Sequence, residues 1–137
     1  MMLTKEQRTE LADQLLSPWG RVELICDGRR VVLSVQRWSR TRVEYRVMTY
    51  IDGEFKYAWC SGDTAEAKFL RKSVRPNLSP AERQKMEKAL GKRYVAKDPY
   101  WSGSLTHYFP DWPSGKAAIS HLCKVCESVE IVRKEQQ

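Results

Sequence analysis

Between Val22 and Trp59, apolar side chains recur at every second position, and two Asp-Gly pairs interrupt the run. A period of two sends alternate residues to opposite faces of a strand. Asp-Gly supplies the positive φ that a two-residue hairpin requires. The segment therefore predicts a four-stranded antiparallel meander. On the first strand Val22, Leu24 and Cys26 share a face ahead of Asp27-Gly28. The second runs from Arg30 to Arg40, with Val31, Leu33 and Val35 on one side. The third runs from Arg42 to Ile51, carries Val43, Tyr45, Val47, Thr49 and Ile51 together, and ends at Asp52-Gly53. On the fourth, Phe55, Tyr57 and Trp59 alternate with Lys56, Ala58 and Cys60. One face is apolar and the other mixed, as in a sheet covered on one side.

Helix signals flank this region. Thr4 with Gln7 three residues on is a capping box, followed by Leu11, Leu15 and Leu16, and Ser17-Pro18-Trp19-Gly20 stops the helix. Asp63 can cap a helix through Arg71 with Ala65, Phe69 and Leu70 inward. Ser79-Pro80 opens a clearer helix that closes at Gly91, its inward stripe being Met86, Ala89 and Leu90. Residues 98–113 are rich in Pro and aromatic side chains and predict an ordered loop. Ser114 caps a last helix facing inward through Ile119, Leu122, Val125, Cys126 and Val129. The expected architecture is α+β. It consists of an N-terminal helix, the meander, then three helices packed on one face of the sheet.

The length of 137 residues predicts a single domain over 1–137. A hydrophobic fraction of 42% with 30% charged residues belongs to a globular chain rather than a disordered one. No apolar run reaches the ~20 residues of a membrane helix. Met1 to Gln14 lacks the apolar stretch of a secretion signal. The expectation is a cytoplasmic protein without a membrane partner.

The net charge is +7, and it is local. Segment 68–97 holds ten Lys/Arg against only Glu82 and Glu87, while the rest of the chain is close to balanced. Such a field attracts phosphate or an acidic protein face. It also describes a solvated helix face that serves solubility. By the helical period Lys85, Lys88 and Lys92 fall on one side, and Arg71, Lys72 and Arg75 extend the patch if the preceding helix lies alongside. Trp38, between Arg37 and Arg40, suits base stacking if exposed and core packing if not. Trp19, Trp59 and Trp112 suit the core.

Cys123 and Cys126 form a CxxC, a spacing shared by zinc sites and redox dithiols. Zinc needs two further ligands, and Cys26, Cys60, His107 and His121 form no second close pair. A redox pair belongs at a helix start, whereas this one falls mid-helix. Core packing is the expectation, with no metal and no cofactor. Neither His belongs to a catalytic motif, and no nucleophile elbow, phosphate loop or HExxH is present. The chain is read as non-enzymatic.

Five stretches carry a resemblance. They are Leu3-Thr4-Lys5-Glu6-Gln7-Arg8, Cys26-Asp27-Gly28, Ile51-Asp52-Gly53-Glu54-Phe55, Lys68-Phe69-Leu70-Arg71-Lys72 and Cys126-Glu127-Ser128-Val129-Glu130-Ile131. Together they make the chain similar to small accessory proteins of tailed phages and prophages. The resemblance implies a protein of the host cytoplasm that binds and blocks a host defence ribonucleoprotein or nuclease complex, in the manner of an anti-CRISPR protein. Direct binding of DNA or RNA in phage replication, recombination or regulation is the alternative. Mimicry of DNA is excluded, since it needs dense negative charge. The candidate binding residues are Lys85, Lys88, Lys92, Arg71, Lys72, Arg75, Arg37, Trp38 and Arg40.

Overall fold

Both Asp-Gly pairs turn the chain as two-residue hairpins. Asp27 and Gly28 have φ of 49° and 81°, Asp52 and Gly53 of 52° and 82°. These pairs of positive φ match the right-handed twist of the flanking strands. The computed structural model describes residues 2–132, with the side chain of Trp101 outside the described residues. The chain divides into two compact units, Met1–Arg71 with Tyr108–Gln137, and Lys72–His107.

The first unit is built on an antiparallel sheet. Strands β1 (Arg21–Cys26), β2 (Arg29–Arg37) and β3 (Tyr45–Ile51) follow the expected meander. The expected fourth strand does not form. After Asp52-Gly53 the chain makes a single bridge, Ile51 to Glu54, then a 3-10 turn over Tyr57–Ser61 that ends at Gly62. Trp59 and Cys60, adjacent in sequence, are both buried within this turn. Phe55 packs edge-on against both Tyr57 and Trp59. The expected helix from Asp63 is likewise a 3-10 turn, Ala65–Phe69, with Phe69 and Leu70 buried.

Beyond β4 (Arg71–Pro76) the chain passes through the second unit and returns on β5 (Ser104–Phe109). β6 (Asp111–Trp112) then takes the edge of β3, pairing Trp112 with Val47 and Asp111 with Met48. At the opposite edge β7 (Val129–Ile131) pairs with β1. The sheet order is β6-β3-β2-β1-β7. Val129 is thus buried as expected, but from a strand rather than from the last helix.

The helical layer of this unit is α1 (Lys5–Gln14) and α5 (Gly115–Val125). Thr4 and Gln7 form the full capping box, and the Ser114 hydroxyl accepts from the Ala117 N–H at 3.2 Å. Leu11 from α1, Leu15 at its C-cap, and Ala118, Ile119 and Leu122 from α5 join Val22, Leu24, Val31, Leu33, Val35, Val47 and Ile51 in one core cluster. Each fully buried Leu or Ile contributes about 1.5–3 kcal/mol. After the meander three helices were expected on the sheet, and in this unit α5 alone follows it, beside α1. Trp19 is a second correction. It is 84% exposed, in a tight fold-back of the chain where a Cβ at Gly20 would lie 2.1 Å from the Gln14 carbonyl oxygen.

The other face of the sheet is mixed, with Val32 and Met48 buried among polar groups. Arg30 pairs with Glu23, Gln36 Nε2–H donates to the Tyr50 hydroxyl at 2.6 Å, and Arg46 pairs with the buried carboxylate of Asp111.

Candidate functional site

The second unit contains α2 (Pro80–Leu90), α3 (Lys92–Lys97), α4 (Pro99–Ser102) and the paired strands β4 and β5. Ser79 caps α2 by accepting from the Glu82 N–H at 3.2 Å, and Pro80 occupies the first turn. Gly91, at φ 92°, closes it. No residue of α2 is buried. Met86 is half-buried while Ala89 and Leu90 are exposed, so the expected inward stripe does not anchor this helix. Leu78 and Val95 are the buried apolar side chains of this unit among the described residues. Polar bonds do much of the remaining work. The Asn77 N–H donates to the Gly103 carbonyl at 3.0 Å, and Asn77 Nδ2–H to the Tyr100 carbonyl at 2.8 Å. The Asp98 carboxylate accepts from the Tyr100 N–H at 2.9 Å.

A unit so thinly packed carries a dense charge. Lys72–His107 contains eight Lys/Arg and three Asp/Glu. All eight cations are exposed. Arg83 pairs with Glu87 at 3.3 Å along α2. Lys72, Arg75, Lys85, Lys88, Lys92, Arg93 and Lys97 make no ion pair among the described residues. Lys85 and Lys88 share a helix face, but the helix ends before Lys92, which opens α3 instead. Lys72 and Arg75 lie on β4, just past the helix expected to end at Arg71.

Basic residues of the first unit are used differently. Arg71 Nε–H donates to the Asp111 carbonyl at 2.8 Å, and its guanidinium lies over the Phe109 ring at 4.9 Å and 3.5 Å from the Asp111 carboxylate. Arg71 is therefore engaged in its own unit. Lys68 donates to the Asp27 carboxylate at 2.7 Å, a bond that with the Ser128 N–H holds that carboxyl below its ordinary range. Trp38 follows the end of β2 in the hairpin loop, not on a strand, with 48% of its surface exposed. Its N–H donates to the Glu44 carbonyl at 2.8 Å, Arg37 Nε–H to the Ser39 carbonyl at 3.0 Å, and Arg40 is exposed.

The CxxC has a third member that the sequence reading did not place beside it. The buried Cys26, at the end of β1, lies beside Cys126 at the C-cap of α5, with Cys123 close by. Burial raises all three thiols above their ordinary range, and for Cys26 the neighbouring sulfurs add to the effect. Buried thiols of this kind are poor nucleophiles and pack as small apolar groups. His121 Nε2–H donates to the Lys68 carbonyl at 2.8 Å, and its ring rests against Trp112. That tie gives His121 an anchoring role.

Sequence reasoning also passed over Tyr94 and Tyr100. They are 55% and 62% exposed, and Tyr94 lies among the cations of α3. The signal was present as an aromatic residue inside the Lys92–Lys97 basic run. Comparison with known proteins matches the chain to no family model, no curated protein and no solved structure.

Proposed function

We propose that the protein is a non-enzymatic binding protein whose second unit holds the phosphate backbone of a nucleic acid. The observation that carries this reading is the set of seven exposed cations without an ion-pair partner among the described residues. Cations kept for solubility alone do not need to exclude acidic neighbours, whereas phosphate contacts gain from their exclusion. The resemblance to phage accessory proteins supplies the setting, a host cell in which a defence ribonucleoprotein displays such a backbone.

Seven phosphate contacts give log K a slope near −6 against log salt on duplex DNA, or about −5 on a single strand. Anisotropy titrations at two salt concentrations measure it. Lys85→Glu with Lys88→Glu weakens binding at least about tenfold, or about 1.4 kcal/mol. It leaves the melting temperature in place, because neither side chain is buried or paired. Absence of salt-dependent binding to duplex, single-stranded DNA and RNA alike refutes the reading.

Exposure of Val74, Leu90 and Leu105 favours a second reading, in which the same surface covers an acidic protein face of a host defence complex. A pull-down from infected-host lysate treated with nuclease separates the two, since only a protein partner survives nuclease.

A further inference from the structure

We infer that the second unit takes its nucleic acid as a single strand, with Tyr94 and Tyr100 as platforms on which unpaired bases stack. The inference rests on the phosphate-binding reading above and adds the form of the strand. Lysines and arginines alone serve a duplex as well as a single strand, since both present phosphates. Aromatic rings do not. A duplex hides its base faces in its own stack, whereas a single strand offers them.

Tyr94 and Tyr100 keep more than half of their surface in solvent, although the unit is short of apolar contacts and gains from burying them. The setting of Tyr94 is cationic. Tyr94 follows Arg93 and is three residues from Lys97 on the same helix, so ring and ammonium share a face. Asp98, the acid nearest in sequence, directs its carboxylate to the Tyr100 N–H. The Tyr100 backbone is thus held at both ends, its N–H by Asp98 and its carbonyl by Asn77, which fixes the platform before a ligand arrives. Five residues lie between the two tyrosines, so their Cα atoms are at most about 22 Å apart. That span suits a few consecutive nucleotides, with Lys92, Arg93 and Lys97 available for the phosphates between them.

The test uses the full chain and three probes: a labelled twelve-nucleotide oligothymidylate, a DNA hairpin duplex, and heparin as a polyanion without bases. Tyr94→Ala and Tyr100→Ala each weaken oligothymidylate binding about tenfold or more. They change heparin and duplex binding less than about twofold and keep the salt slope. Tyr94→Phe retains the ring and restores single-strand binding, which distinguishes stacking from damage to α3. Two results overturn the inference: equal losses on all three probes, or no loss on oligothymidylate. If Lys85→Glu with Lys88→Glu still weakens binding in that second case, phosphate binding stands and stacking alone falls. If the wild-type chain binds none of the probes, the underlying reading falls with it.

Discussion

The edge of the sheet depends on one buried hydrogen bond, and its removal is calculable. Trp112 Nε1–H donates to the Thr49 hydroxyl at 3.0 Å. Thr49 is 0% exposed and Trp112 5%, so water cannot replace either partner. Thr49→Val keeps the shape and removes the acceptor, leaving the indole N–H unsatisfied at about 1–3 kcal/mol. The added methyl returns up to about 0.8 kcal/mol of burial. The expected net loss is about 1–2 kcal/mol, or roughly 3–10 °C in melting temperature. Urea unfolding followed by far-UV circular dichroism measures it in a cycle of four proteins. In a Trp112→Phe background no N–H remains to be orphaned, so Thr49→Val becomes neutral or stabilising. The coupling between the two sites is then at least about 1 kcal/mol. An equal cost of Thr49→Val in both backgrounds would refute the reasoning, because the effect would then come from packing alone.

Gly115→Ala at the start of α5 places a Cβ 2.5 Å from the Leu15 Cβ, so overpacking destabilises the chain by about 1–3 kcal/mol, seen as a lower urea midpoint. Asp27 has its folded pKa lowered from 3.8, so its stabilisation is present above the unfolded pKa and is lost as pH falls through the folded one. The stability gap between wild type and Asp27→Asn therefore closes as the solution is taken from about pH 5 to about pH 2, and a gap that is constant across this range contradicts the assignment.

Local chemistry was the most legible part of the sequence. Asp27-Gly28, Asp52-Gly53, the Thr4–Gln7 box and the caps at Ser79 and Ser114 each signal through contacts a few residues long, and each stands in the structure. Signals that depend on distant partners were not legible. Phe55, Tyr57 and Trp59 alternate as a strand would, yet the β3 edge is occupied by Asp111–Trp112, a pair too short to show any period. Val129 reads as one more apolar residue of the last helix because its partner, Cys26, is about a hundred residues earlier. The basic excess was visible as a count. Lys68 and Arg71 are nonetheless tied to Asp27 and Asp111, while Lys72 to Lys97 stay exposed. No rule of sequence spacing separates the two sets.

The strand lengths taper outward, from nine residues in β2 to three in β7 and two in β6. A sheet ending in long strands offers a neighbouring copy a ready row of unpaired amides. Here each rim is too short to template another strand. Beyond β7's reach β1 begins with the exposed Arg21, and beyond β6's reach β3 carries the half-buried Arg46 in its pair with Asp111, so an arginine stands at each margin. The five-stranded sheet therefore offers a neighbouring copy little open edge to pair with.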